Sequence, residues 1–101
     1  MVRVAVATRT LAIPPVVAAE CYSDGNLEDD AKAMLQAVPH LPILDGYWER
    51  AGLLRASVLA KGFKATIPDC LVAQSCIDHD IPLITYDRDF RHFTAAGLQL
   101  R

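Results

Sequence analysis

The sequence predicts a single α/β domain of three layers, α/β/α, built on a mainly parallel sheet. Short β-prone segments alternate with longer segments of helical periodicity, and this order is typical of parallel strands joined by right-handed crossovers. The segment 81–86 is nearly continuously apolar, as expected of a parallel strand that helices cover on both faces. The chain has 101 residues, of which 52% are hydrophobic, so residues 1–101 are expected to form one domain around one core.

The first predicted elements are one or two short strands followed by a helix. Residues 2–7 are β-prone, and residues 11–13 continue the apolar character. Pro14 and Pro15 suit the first turn of a helix that reaches roughly Asp24, because a proline there removes no helical hydrogen bond. The Asp-Gly-Asn sequence that follows is expected to end this helix.

Two amphipathic helices come next, with a short strand between them. Residues 27–38 predict a helix, because acidic residues occupy its first turn and its apolar residues share one face: Leu27, Ala31, Met34, Leu35 and Val38. Residues 42–45 predict the strand. Residues 46–61 predict the second helix, which Gly62 ends, and its apolar stripe consists of Tyr47, Ala51, Leu54 and Val58.

The last third predicts a buried helix, a strand, a short helix and a final strand. Residues 68–79 form the helix, which is apolar on more than one face and is therefore expected to pack between other elements. The strand covers residues 81–86, the short helix residues 89–93, and the final strand residues 97–101.

Composition narrows the function classes. The net charge of −2 gives no global basic signature, so a polyanionic substrate would need a local cationic patch or a metal ion. No apolar run approaches the ~20 residues that span a bilayer, and the first residues lack the order of a signal peptide. We therefore expect no membrane association and a cytoplasmic location. Cys21, Cys70 and Cys76 form no Cys-x-x-Cys pair and are interpreted as small core residues.

Three acidic residues occupy positions at which an α/β fold gathers side chains, and a fourth is singled out by its apolar surroundings. Asp69 opens a helix, and Asp87 and Asp89 follow the apolar strand. Helix starts and the carboxyl ends of strands face one crevice in an open α/β sheet. Glu20 is the only charged residue in a long apolar run near the N-terminus. These are the candidate site acids.

Carboxylates gathered in a crevice repel one another unless a proton or a cation lies between them, and hard divalent ions prefer oxygen ligands. A metal-dependent phosphoryl or phosphodiester site is the first interpretation. Each acid also has a structural alternative. Asp69 and Asp89 are suited to cap helices, Asp87 to shape a turn, and Glu20 to face solvent from an amphipathic helix.

Taken in order, several motifs give the chain a family resemblance. Residues 13–20 place an acid in an alanine-rich helix after a proline, and residues 67–75 place an aspartate before an apolar stretch. Residues 85–90 read Thr-x-Asp-x-Asp-Phe, and residues 97–100 read Gly-Leu-x-Leu. From about Leu11 to its end, the chain thus resembles the PIN domain family, the metal-dependent ribonuclease fold of VapC-type toxins in toxin–antitoxin modules.

The resemblance implies a site. Glu20, Asp69 and Asp87 match the family's catalytic, metal-binding acids, with Asp89 as an accessory metal ligand and Thr85 as a supporting hydroxyl. The implied cofactor is Mg²⁺ or Mn²⁺, and the implied reaction is hydrolysis of RNA phosphodiesters by a metal-activated water.

The resemblance also implies partners. These are an RNA substrate, a small antitoxin protein and a second copy of the chain in a homodimer. Lys64, Arg88 and Arg91 are the cations expected to reach substrate phosphates.

One departure from the family pattern bears on activity. The family's first acid is an aspartate at the end of its first strand, whereas residues 1–19 contain no Asp or Glu. We therefore expect a PIN-like domain that lacks the family's first strand and helix, binds metal weakly and is impaired as a nuclease. Unpaired strand edges would also favour association with another chain.

Two alternatives stay open. The first is a non-catalytic PIN remnant that acts through antitoxin binding or self-association. The second is a phosphate-handling α/β protein such as a phosphatase or receiver domain. This second alternative ranks last. Those proteins place their essential acids after the first strand, and this chain has no Asp or Glu there.

Overall fold

The computed structural model describes the backbone of residues 5–7 and the whole of residues 12–101. In chain order its elements are β1 (Ala5–Ala7), α1 (Pro15–Tyr22), α2 (Asp29–Ala37), α3 (Tyr47–Ala60), α4 (Ile67–Asp78), β2 (Leu83–Thr85) and a 3₁₀ segment (Arg88–Ala96). The four predicted α-helices are confirmed, each within two residues of its expected ends. The predictions that fall on residues 1–4 and 8–11 lie outside the described residues.

The strands give a smaller sheet than the sequence predicts. β1 pairs with β2 in antiparallel register, with Val6 opposite Ile84. On the other side of β2, Leu83 donates its N–H to the carbonyl of Gln99 at 2.8 Å and accepts from the N–H of Arg101 at 3.0 Å, which makes an isolated parallel bridge. Leu83 thus lies between two neighbours and is fully buried.

The prediction of a mainly parallel sheet is not confirmed. Among the described residues the one ladder is antiparallel, and parallel pairing is limited to two isolated bridges, Ile13 to His40 and Leu83 to Leu100. The apolar character of segment 81–86 predicted burial on both faces, and the structure bears this out only in part, because Leu83 is fully buried whereas Ile84 is 42% and Tyr86 97% exposed. The segment carried no information on strand direction, because an apolar strand is compatible with either direction.

The prediction of a strand at residues 42–45 is wrong. The N–H of Ile13 donates to the carbonyl of Pro39, and the carbonyl of Ile13 accepts the N–H of Leu41, at 2.9 Å each. These two hydrogen bonds form an isolated bridge that ends before residue 42. Pro42 has no N–H with which to continue such a ladder. Its carbonyl instead binds Nε2 of His79 at 2.8 Å, and side chains further along this segment are exposed. The chain therefore crosses this region as a loop.

Helix α4 lies at the centre of the core. Cys70, Val72, Ala73 and Cys76 are almost completely buried on it, and it packs against α1, α3 and the 3₁₀ segment. This confirms the expectation that an all-round apolar helix packs between other elements. The three cysteines are free thiols, with Cys21 only partly buried. Burial raises the pKa of the Cys76 thiol to about 12, so this thiol is neutral at physiological pH.

Helices α3 and α4 are joined by polar contacts as well as by the core. The predicted stripe of α3 is confirmed, since Tyr47, Ala51, Leu54 and Val58 are all buried. The hydroxyl of Tyr47 donates to the carbonyl of Leu71 at 2.6 Å. Arg50 donates from Nε and Nη2 to both carboxylate oxygens of Asp78, at 2.9 and 2.6 Å. The start of α3 is thereby fixed on α4.

Helix α2 presents most of its predicted face to the core, because Leu35 is buried and Leu27 and Val38, which flank the helix, pack against the core. Only Leu35 is fully buried on it, and Met34, which the pattern placed on the same face, is 66% exposed. A helix that covers the core at its edge buries a narrower stripe than its apolar pattern suggests. None of the helices in the described part of the chain has the length and apolar character needed to cross a membrane.

Candidate functional site

Asp69 lies in the first turn of α4 and is buried, with only 5% of its surface exposed to solvent. The capping role that the sequence allowed for it belongs to Thr66, whose Oγ1 accepts the backbone N–H of Asp69 at 3.2 Å. The carboxylate is therefore placed by the start of the helix without serving as its N-cap. Carboxylates are seldom buried to this extent unless they are paired.

Asp87 lies just past β2 and is the N-cap of the 3₁₀ segment. Its Oδ1 accepts the backbone N–H of Asp89 at 2.9 Å, and its own N–H donates to Oγ1 of Thr85 at 3.1 Å. The sequence had offered Asp89 as the cap and Asp87 as a turn residue, and the structure gives the cap to Asp87. The hydroxyl of Thr85 therefore fixes the backbone at Asp87. The side chain of Asp89 is exposed.

Glu20 lies on α1, the helix that packs against the same α4. Its side chain is half-buried. It is thus less exposed than the solvent-facing residue of the structural alternative and less enclosed than a metal ligand. Burial raises the pKa of the neighbouring Cys21 thiol, and the negative charge of Glu20 raises it further. The Glu20 carboxylate therefore contributes to the local field on the surface of α1.

The elements that hold the three acids are neighbours. Helix α1, which holds Glu20, and the 3₁₀ segment that Asp87 caps both pack on α4, which holds Asp69. Carboxylate oxygens are also the donor type that Mg²⁺ or Mn²⁺ would select. Within the part of the chain that the structure describes, however, no group of three or more His, Cys, Asp or Glu side chains is arranged to hold a metal ion. Convergence of Glu20, Asp69 and Asp87 on one metal, with Asp89 as accessory ligand, stays a prediction.

The predicted substrate cations are all exposed. Side chains three residues apart eclipse in a 3₁₀ helix, and this register places Phe90 and Phe93 in the core while Arg88 and Arg91 share an outer ridge. Lys64 lies in the connection between α3 and α4. The ridge formed by Arg88 and Arg91 therefore begins directly after the Asp87 cap.

One cluster was missed by the sequence reasoning. The rings of Phe63 and His92 stack with their centroids 4.4 Å apart and their planes at 16°. Together with Lys61 and Arg91 they line a surface pocket of about 450 Å³. The sequence signal was the exposed aromatic at position 63 directly after a lysine and a helix-ending glycine, which the helical pattern explained only as a C-cap.

A family model described as the PIN domain matches residues 2–96, an earlier start than the motifs themselves, which begin at about Leu11. No similar sequence was found among the curated proteins searched. The match spans nearly the whole length of the chain. Membership of this family implies an α/β fold and a nuclease-type function. The chain therefore belongs to the PIN domain family.

Proposed function

We propose that this chain is a ribonuclease of the VapC toxin type that hydrolyses RNA phosphodiesters in the presence of Mg²⁺ or Mn²⁺, with activity lowered because residues 1–19 supply no acidic ligand. The observation that carries the proposal is the PIN domain match over residues 2–96. Two features of the structure support it. Asp69 is a buried carboxylate at a helix start, and Asp87 is a carboxylate fixed at a strand end, which are the two places where the family resemblance expects acids.

The roles proposed for the residues follow from their surroundings. Burial of Asp69 strengthens its electrostatic interactions, because solvent screens them less. The hydrogen bond that Oδ1 of Asp87 accepts from the N–H of Asp89 restricts the Asp87 rotamer, which helps a ligand to hold a fixed geometry. A divalent ion, when bound, would supply an activated water and offset charge on the phosphate. Glu20 would complete the acidic site, and Arg88, Arg91 and Lys64 would contact substrate phosphates.

RNA cleavage by the purified chain tests this proposal. With Mn²⁺ present, Asp69→Asn and Asp87→Asn should each lower the cleavage rate by at least about a hundredfold, because each removes a charge that the reaction needs. Asp30→Asn is the matched control, since Asp30 also lies in the first turn of a helix but is exposed on α2. Wild-type cleavage by Asp69→Asn and Asp87→Asn would contradict the site assignment.

The toxin part of the proposal implies a small antitoxin protein as partner and a cytoplasmic site of action. Expression of the chain alone should slow bacterial growth, and Asp87→Asn should relieve the effect at equal protein level. Growth that is unaffected by an active, cleaving protein would contradict the toxin role while leaving the nuclease proposal intact.

A second candidate is a non-catalytic PIN protein that acts through self-association or antitoxin binding. The observation that favours it is an apolar groove of about 350 Å³ between α3 and α4, lined in part by the exposed side chains of Trp48, Leu59 and Ile67. Calorimetric titration separates the two candidates. The nuclease proposal predicts Mn²⁺ binding in the millimolar range that Asp69→Asn abolishes, and the second candidate predicts no binding.

A further inference from the structure

The pocket lined by Lys61, Phe63, Arg91 and His92 has the composition of a nucleic-acid contact. It lies where the connection that follows α3 meets the 3₁₀ segment, which carries Arg91 and His92. Phe63 is 46% exposed although it stacks on His92, which leaves part of its ring open to a ligand. An open ring supported from behind by a second ring is a rigid surface on which a base can stack.

The charges around the ring pair are of one sign. Lys61 and Arg91 are exposed, and no acidic residue is found among the described residues that line the pocket. Neither cation forms an ion pair within the described part of the chain. In a protein of net charge −2, this pocket is therefore a local cationic patch of the kind that a polyanion requires.

The backbone holds this arrangement in place. Gly62 adopts a left-handed conformation, with φ of +85°, and turns the chain out of α3. The N–H of Phe63 then donates to the carbonyl of Val58 at 3.3 Å. On the opposite side, His92 and Arg91 belong to the segment that two buried phenylalanines anchor in the core. Little order would have to be gained when a ligand binds.

We propose that this pocket binds one unstacked base and an adjacent phosphate of single-stranded RNA, with the base on Phe63 and the phosphate between Lys61 and Arg91. The inference rests on the proposed function and specifies the form of its substrate. A duplex keeps its bases stacked and paired, so it can use the cations but not the ring. Single-stranded RNA is therefore the form that this pocket accepts, and the Arg88 and Arg91 ridge leads from the pocket toward Asp87.

Binding without cleavage tests the proposal. Fluorescence anisotropy would measure the affinity for a labelled 12-nucleotide single-stranded RNA and for a 12-base-pair RNA duplex, with EDTA present to prevent cleavage. Phe63→Leu keeps an apolar side chain but removes the ring, and it should weaken single-strand binding about fivefold or more while duplex binding stays within about twofold. Phe63→Tyr keeps the ring and should bind both RNAs like the wild type.

Two further variants separate charge from stacking. Arg91→Ala should weaken binding of both RNAs and should reduce the salt dependence of single-strand binding by about 0.7 in the slope of log K against log salt. Tyr22→Leu is the matched control, because it removes a ring that is 44% exposed on α1 outside this pocket, and it should bind like the wild type.

The outcomes distinguish this inference from the proposed function. Equal single-strand binding by wild type and Phe63→Leu would overturn the stacking role, and so would the absence of any RNA binding by the wild type. Ring-dependent binding in a protein that never cleaves RNA with Mn²⁺ would leave the pocket standing and contradict the nuclease. Cleavage that is indifferent to Phe63→Leu in both rate and affinity would leave the nuclease standing and contradict the pocket.

Discussion

Asp78 shows how one residue joins two helices and responds to pH. Its carboxylate accepts two hydrogen bonds from Arg50 and one from Nε2 of Gln74 at 2.8 Å. The hydrogen bonds from Arg50 hold the pKa of Asp78 below its usual value of 3.8, because they favour the charged form. A carboxyl whose pKa is lower in the folded state binds protons more readily when the chain unfolds, and its ionisation therefore stabilises the fold.

This predicts a specific pH dependence of stability. The contribution of Asp78 is fully present above its unfolded-state pKa of about 4 and is lost as the pH falls through its lower folded-state pKa. Urea denaturation between pH 7 and pH 3 should show Asp78→Asn clearly less stable than the wild type at pH 7, with the difference shrinking toward pH 3. Asp30→Asn, on an exposed turn of α2, should show little difference at either pH. A deficit for Asp78→Asn that stays constant with pH would contradict the role of this ion pair.

At the scale of elements, helix α3 requires a glycine at its start, Gly46, but not the one in its middle, Gly52. Gly46 has a left-handed φ of +79°, and a Cβ there would lie 2.6 Å from Nη1 of Arg50. That nitrogen is already engaged, since it donates to the carbonyl of Asp45 at 2.6 Å. Gly52 lies inside the same helix, and a Cβ added there would meet no atom within 4 Å, so a side chain has room.

The two glycines therefore predict opposite effects of one substitution. Gly46→Ala should lower the free energy of unfolding by about 1–2 kcal/mol, because of its left-handed backbone and the displaced guanidinium. Gly52→Ala should raise it by about 0.5–1 kcal/mol, because alanine loses less backbone entropy in a helix. Urea midpoints of the two variants measure both effects, and a shift of the same sign in both would contradict this account of α3.

The helices could be predicted because their signals are local. The stripe of α3, the prolines that open α1 and α4 and the glycine after α3 each act within a few residues. Pairing in the sheet depends on distant partners, and neither the antiparallel register of β1 with β2 nor the loop at residues 42–45 could be deduced from apolar character. For the candidate site, the sequence indicates individual acids but not their surroundings. The burial of Asp69 and the cap at Asp87 depend on how elements pack, as does the stack of Phe63 on His92.

At the scale of the whole molecule, the groove between α3 and α4 exposes apolar side chains to solvent. Trp48 and Ile67 are 63% and 58% exposed beside it. Contiguous exposed apolar surface of this kind is typical of association sites. A second copy of the chain is the occupant that we propose, in agreement with the expected homodimer.

Self-association is therefore the expected state. Light scattering at micromolar concentration should give a mass above that of the 11.0 kDa monomer, and Trp48→Lys or Ile67→Lys should shift it toward the monomer by placing a charge in the apolar contact. Met34→Lys is the matched control, since Met34 is 66% exposed on α2 away from this groove. A wild-type chain that is already a stable monomer would contradict the proposed dimer.

The central claim is that the acids act together as one nuclease site, and a double-mutant cycle tests it most directly. The cleavage rate of RNA with Mn²⁺ would be measured for wild type, Asp69→Asn, Asp87→Asn and the double variant. Residues that act as a unit give strongly non-additive losses, so the double variant should lose about as much rate as the worse single variant. Losses that multiply, or variants that cleave like the wild type, would contradict a shared site.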